Sequence, residues 1–271
     1  MTPGGYDPDL FAGAAEYYAR YRVPYPPSAI AYIAESFALD RGCRALDLGC
    51  GPGTLAIPLG AIVGEVTAMD PDPGMLWTGR RLAKEAGVGN IRWIAGGSRD
   101  LAQARGPFRL AAMGQSFHWM DRHQVLEDLR GLIEPAGGIA LVAPAARRPQ
   151  ESWEEAADEV VRRFLGEPAT HPQRNPEPRH EPALDRSEYE IVARREFPST
   201  VERDFASILG ALYSMSGSAR RLFGDEGPRF ETELREAMGE LNPAGVFREK
   251  VETEVVIARL RTKPRPASYS Q

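Results

Sequence analysis

What is scarce in this chain narrows it first. Its 271 residues include two cysteines, Cys43 and Cys50, too few for a disulfide framework and not spaced as a CxxC metal pair. Lysine occurs only at Lys84, Lys250 and Lys263, so nearly all positive charge is arginine, and the formal net charge is −5. That balance gives no electrostatic footprint for DNA or RNA. No apolar run reaches the roughly 18 residues that suggest a membrane span. The opening residues MTPGGYDPDL show no basic start followed by an apolar stretch. HExxH, GxSxG and P-loop patterns are all missing. The expectation is a soluble, cytoplasmic protein with no nucleic-acid or membrane partner and no metal.

What is present has the composition of an ordinary globular protein, 42% hydrophobic and 26% charged. Leu10, Phe11, Ala14, Tyr17, Tyr18 and Tyr21 fall at helical spacing, which predicts a helix over 9–22 with an aromatic face. Pro24, Pro26 and Pro27 end it, and Ser28 opens a second helix. Strands and helices then alternate. Strands are expected at Arg44–Leu48, Glu65–Met69, Asn90–Ile94, Arg109–Met113 and Ile139–Ala143, with a turn at Glu134–Gly138. Such alternation implies a doubly wound α/β fold around a mostly parallel sheet. After Pro144 come a helix over Trp153–Leu165, a proline-rich loop over Glu167–Pro182, a strand over Tyr189–Phe197, helices near Phe205–Phe223 and Phe230–Leu241, and a strand over Val251–Leu260. The organisation reads as an N-terminal helical cap with the α/β core (1–145), a helical lid insertion with the last two strands of the same sheet (146–262), and a tail (263–271).

The segment Asp47-Leu48-Gly49-Cys50-Gly51-Pro52-Gly53 carries the chemistry. Glycines after a strand let the backbone approach a ligand, and the next helix aims its N-terminal N–H groups at it. Asp70 stands 21 positions after Gly49 at the end of the next strand, where a carboxylate can hold ribose hydroxyls. An adenosine-bearing ligand fits both. The run from Gly51 also matches the GxGxxA fingerprint of dinucleotide-binding oxidoreductases. Asp47 argues against that reading, because a carboxylate there repels a pyrophosphate and suits an ammonium group.

These residues, with Met69-Asp70-Pro71-Asp72, the run Ser116-Phe117-His118-Trp119-Met120-Asp121, and the opening Tyr18-Ala19-Arg20-Tyr21-Arg22-Val23-Pro24-Tyr25-Pro26, resemble the class I S-adenosylmethionine-dependent methyltransferases. More narrowly they resemble the small-molecule branch that includes trans-aconitate methyltransferase-like proteins. The resemblance implies a seven-stranded Rossmann-like sheet and S-adenosyl-L-methionine as cofactor, with S-adenosyl-L-homocysteine as product. It implies that Gly49, Gly51 and Gly53 border the methionine part near Asp47, that Asp70 holds the ribose, and that Pro71 and Met75 pack by the adenine. Ser98 then offers backbone contacts to the adenine edge, and Gln115 reaches the methionine moiety. The family often has an acid near position 97, where this chain has Gly97. Arg109 stands where an aspartate is common.

Some residues carry two readings. Arg22 is a candidate fork for a carboxylate. Tyr17, Tyr18, Tyr21 and Tyr25 either close over a sulfonium cation or pack as a helix stripe, with Tyr21 assigned to the cofactor and Tyr18 to the substrate pocket. His118 is a candidate general base or a pocket-shaping residue; Trp119 lines the acceptor pocket or anchors the next helix. His171 and His180 read as solvated. The post-strand loop lacks the [DN]PP[YF] pattern for exocyclic amines of bases, and no Pro-Cys nucleophile is present. The acceptor is therefore expected to be a small molecule. A non-methylating member of the same fold stays open at this level.

Overall fold

The computed structural model describes residue 7 and residues 10–145, 152–167 and 180–262. Two helices, α1 (Ala15–Tyr21) and α2 (Pro27–Phe37), precede the alternating core of β1 (Arg44–Leu48), α3 (Ala56–Gly60), β2 (Glu65–Asp70), α4 (Pro73–Glu85), β3 (Ile91–Ala95), β4 (Phe108–Gly114), α5 (Arg122–Arg130) and β5 (Ile133–Pro144). The remainder holds α6 (Ser152–Leu165), α7 (Glu181–Asp185), β6 (Tyr189–Arg203), α8 (Phe205–Tyr213), α9 (Gly227–Leu241) and β7 (Phe247–Leu260). The seven strands form one sheet in the order β3-β2-β1-β4-β5-β7-β6. The first five are parallel and β7 runs antiparallel between β5 and β6. The order reverses beside β1, so ligands are expected at the carboxyl ends of β1 and β4.

The parallel strands are nearly continuous apolar runs because both faces are covered. Ala45, Val66, Ala68, Leu110, Ala112 and Val142 face Ile33, Phe37, Leu55 and Leu59 from α2 and α3. Leu46, Leu48, Met69, Ala111 and Leu141 face Val125, Leu126, Leu129 and Leu184 from α5 and α7. A third cluster belongs to the helical region after β5, hereafter the cap, where Trp153, Val160, Ile208, Tyr213, Phe223, Phe230 and Leu234 pack together and Tyr17 of α1 joins them.

Several boundaries differ from the sequence expectation. The first helix starts at Ala15 rather than near residue 9, following Gly13 at φ +76°. The turn expected at Glu134–Gly138 is a bulge inside β5, where the register jumps between Phe108 and Leu110. Glycine is needed there, since a Cβ on Gly138 would lie 2.4 Å from the Ala258 carbonyl oxygen. Strand β6 runs past Phe197 to Arg203, and Pro198 fits because β6 is the edge of the sheet. Helix α8 stops at Tyr213, where the Ser214 and Ser218 hydroxyls donate to the carbonyls of Ala211 and Leu212. The expected loop over Glu167–Pro182 lies mostly outside the described residues, but its end, from Glu181, is helical in α7. Among the described residues no helix is long and apolar enough to cross a membrane.

Candidate active site

The three glycines after β1 all sit in the left-handed region, with φ of +70°, +53° and +88° for Gly49, Gly51 and Gly53. Each has a different neighbour. A Cβ on Gly49 would lie 2.4 Å from Ser116 Cβ, and one on Gly53 would lie 2.8 Å from the Trp93 ring. Both make room for the protein's own side chains. A Cβ on Gly51 would meet nothing within 4 Å, so only this glycine faces open space. The packing of Trp93 and Ser116 against this turn is what sequence reasoning missed. Ser116 is buried and donates through Oγ to the Leu48 carbonyl at 2.6 Å, tying the loop after β4 to the end of β1. No local sequence signal marks that contact.

The middle glycine and the acid at the tip of β2 form one unit. Gly51 N–H donates to Asp70 Oδ2 at 2.8 Å, and Asp72 N–H donates to Asp70 Oδ1 at 2.9 Å. Burial pushes the Asp70 carboxyl up to about 6, although both N–H donors pull the other way. Asp47 is 1% exposed and accepts from the Ala56 N–H, yet its Oδ2 has no hydrogen-bond partner. Burial first, with Asp70 adding to it, pushes Asp47 up to about 7. A buried acceptor with no donor costs about 1–3 kcal/mol and calls for an explanation such as a ligand.

Helix α1 and the turn after it lie over these acids. Burial pushes the Tyr18 hydroxyl pKa up, Arg22 opposes that, and Asp70 and Asp47 add to it. The Arg22 guanidinium sits 5.1 Å from the Tyr18 ring centre and donates to the Ser214 carbonyl at 3.4 Å, while its buried Nε has no partner. The Tyr25 hydroxyl is likewise buried without a partner of hydrogen-bonding geometry, beside Gln115 and Gly114. Gln115, just after β4, takes φ +52°, a rare conformation for a non-glycine residue. Tyr21 packs toward α8. Its ring fills the space above Gly210 of α8, where a Cβ would lie 2.1 Å away, and it stacks on Tyr17.

On the other side of Asp70, the Asp72 carboxylate caps α4 by accepting from the N–H groups of Gly74 and Met75. Met75 is 4% exposed. Gly96 N–H donates to the Asp70 carbonyl at 3.1 Å, which brings the turn after β3 alongside Pro71. Ser98 opens the 3-10 helix that follows, Ser98–Ala104.

The loop after β4 forms a second 3-10 helix, Phe117–Trp119. Phe117 is buried below it, and His118 and Trp119 are half-buried with ring centres 4.9 Å apart. Phe11 meets Trp119 edge-on at 6.0 Å. His180 is not solvated as expected; its ring packs 5.3 Å from Phe117, and burial, with Arg122 nearby, pushes its pKa down to about 4. His171 lies outside the described residues. Among the described residues no group of three or more His, Cys, Asp or Glu is placed to hold a metal ion. Arg109, the departure noted in the sequence, pairs with Glu134 at the far, amino-terminal end of β4.

Residues 45–137 match the family described as a methyltransferase domain. The chain is 28% identical over 168 residues to an uncharacterized methyltransferase of Mycobacterium tuberculosis, covering 62% of this chain and 65% of that protein. It is 38% identical over 115 residues to a ubiquinone biosynthesis O-methyltransferase of Azorhizobium caulinodans, covering 42% of this chain and 45% of that one. The matched stretches span less than two thirds of either relative. Among solved structures, it is similar to a SAM-dependent methyltransferase of Geobacter sulfurreducens in complex with S-adenosyl-L-homocysteine. The TM-score is 0.51 at 19% identity, over 94% of this chain and 99% of that one. At that identity the likeness carries the fold, the seven-stranded Rossmann-like sheet of class I methyltransferases.

Proposed function

We propose that this chain transfers a methyl group from S-adenosyl-L-methionine to a small-molecule acceptor; the match of residues 45–137 to a methyltransferase-domain family and the seven-stranded sheet around it support this reading. The observation that carries the reading is the orphaned Oδ2 of Asp47, a fully buried acceptor beside the glycine turn. The partnerless Nε of Arg22 accompanies it, both within electrostatic reach of Tyr18. An orphaned acid and an orphaned guanidinium nitrogen fit the ammonium and carboxylate of the methionine moiety. A dinucleotide fits poorly, since its pyrophosphate would face Asp47.

In this reading Asp47 receives the ammonium, Arg22 the carboxylate, and Gln115 steadies the chain between them. Asp70 takes the ribose hydroxyls while the Gly51 N–H holds that carboxylate in place. Pro71, Met75 and Ser98 flank the base. Gly49 and Gly53 shape the loop from behind, and Tyr21 acts at a distance through the cap. The sulfonium supplies an electrophilic methyl, so the protein's main task is to align the acceptor, which contributes about 7–11 kcal/mol in favourable systems. His118, Trp119 and Tyr18 line the acceptor side. His118 takes a proton from a hydroxyl or carbon acid, whereas a carboxylate acceptor needs no base. The named activity of the Azorhizobium relative, methylation in ubiquinone biosynthesis, supports a small organic acceptor without identifying it.

Calorimetry with S-adenosyl-L-homocysteine tests the proposal directly. Binding by the wild-type chain and loss of most affinity in Asp70→Ala are the expected results. Equal affinity in both proteins refutes the ribose assignment, and no binding by either overturns the proposal.

A further inference from the structure

We infer that this chain reads its nucleoside at the ribose and the faces of the base, and leaves the exocyclic amino group of the purine unread. Cofactor analogues alkylated at that nitrogen are then bound as the unmodified compound is. The inference rests on the assignment of Asp70 to the ribose.

Once the ribose is fixed, the base has to lie by Pro71 and the turn after β3, because that turn is bonded to Asp70 through the Gly96 N–H. An amino group buried in a site is recognised by an acceptor, and the carboxylates flanking this turn are engaged in capping α4 and in closing the turn. Asp72 Oδ1 accepts two N–H groups at the start of α4. Asp100 Oδ2 accepts the Gly97 N–H at 2.9 Å, which closes the turn, and its Oδ1 faces Gln103 at 3.5 Å. Gly97 stands between them with no side chain. Its backbone is extended, at φ −106° and ψ −164°, so the conformation does not demand glycine. A Cβ there would meet only Pro71, at 4.0 Å. Among the described residues, the result is an opening at the base edge with no side-chain acceptor at position 97 and room for added bulk. The N–H of Ser98, in the first turn of its 3-10 helix, suits a ring nitrogen of the purine, and alkylating the amino group leaves that nitrogen an acceptor.

The test compares S-adenosyl-L-homocysteine with its N6,N6-dimethyl analogue, which has no N–H to donate, by calorimetry on the full chain. Wild-type protein is expected to bind the two within about threefold of each other. Gly97→Asp places a carboxylate in the opening and is expected to prefer the unmodified compound by about tenfold or more. A wild-type preference of about tenfold or more overturns the inference; loss of that preference in Asp100→Asn, which keeps an acceptor for Gly97, would identify Asp100 as the reader. Should Gly97→Asp fail to fold, the wild-type comparison decides alone. If S-adenosyl-L-homocysteine itself does not bind, the ribose assignment fails and this inference with it.

Discussion

The α/β core and the helical cap solve the same problem, covering an apolar surface, with different means. In the core the strands are apolar on both faces, and polar groups are concentrated at the carboxyl edge, where Asp47 and Asp70 sit buried beside the glycine turn. In the cap, aromatic rings pack around Phe230, with Phe223 and Phe230 centroids 3.9 Å apart, and a buried ion pair joins the parts. Arg203 of β6 pairs with Glu249 of β7, lies over the Trp153 ring and donates to the Tyr21 carbonyl at 3.1 Å, so one guanidinium holds β7, α6 and the end of α1. Buried charge in the cap is paired and structural. Among the described residues, the buried acids at the core edge are in no ion pair; Asp70 is held by two N–H groups and Asp47 Oδ2 by none.

The largest expected effect breaks the cap alone. Arg203→Ala removes the buried guanidinium that pairs with Glu249 and holds the Tyr21 carbonyl, and is expected to destabilise by about 3–5 kcal/mol. Hydrogen exchange should show lost protection in α1, α6 and α8 while amides of β1, β2 and β4 stay protected. Uniform loss across both regions would show that core and cap unfold together. Asp47→Asn is the counterpart in the core and should act with opposite signs on two measurements. Affinity for S-adenosyl-L-homocysteine falls by about tenfold to a hundredfold, while the ligand-free protein is as stable or more stable near pH 7–8. The sign follows from burial. The folded-state pKa of Asp47, about 7, is above the unfolded value of ~3.9, so the folded state holds the extra proton and stability falls as pH rises through that window. Asn removes the fall. Wild-type binding below pH 7 should also release a proton, read as a binding enthalpy that changes with buffer.

The core edge was legible in the sequence because its signals are local. The glycines, Asp47 and Asp70 lie within one strand-turn-helix-strand unit, and their positions follow from the alternation of strands and helices. What escaped is what depends on residues far apart. Ser116 reaches Leu48 across 68 positions, Trp93 fills the space that Gly53 leaves, and the Tyr21 ring lies against Gly210. His180 packs on Phe117 only because the chain returns there after the proline-rich segment. Helix ends in the cap were misplaced because serine side chains, not apolar periodicity, decide where α8 stops.

The glycine turn contains a smaller version of the same contrast. Gly53→Ala adds a methyl group against the Trp93 ring, which also packs so close to Gly79 that a Cβ there would lie 2.6 Å from it, on top of the strain at φ +88°. A loss of about 2–4 kcal/mol in chemical denaturation is expected. Gly51→Ala meets no neighbour, so its cost is the left-handed strain alone, about 1–2 kcal/mol, and its larger effect should be on ligand affinity. Equal stability losses in the two variants would mean that Trp93 yields easily and that packing does not separate them.

The smallest expected effect tests whether the cap holds α1 more firmly than the core does. Toward the core, Glu16 accepts from the Thr78 hydroxyl at 3.1 Å and from Arg81 at 2.8 Å, but the two charged side chains are 59% and 37% exposed, and Arg81 has Glu85 as a second partner. Toward the cap, α1 places Tyr17 and Tyr21 against α8 and Tyr213 and offers its last carbonyl to Arg203. Solvent and salt screen the first set of contacts and reach little of the second. Glu16→Gln is therefore expected to cost less than about 1 kcal/mol in denaturant titrations, and the difference should shrink further at high salt. A loss comparable to that of Arg203→Ala would reverse the assignment, making α1 part of the core and leaving the cap to close over it.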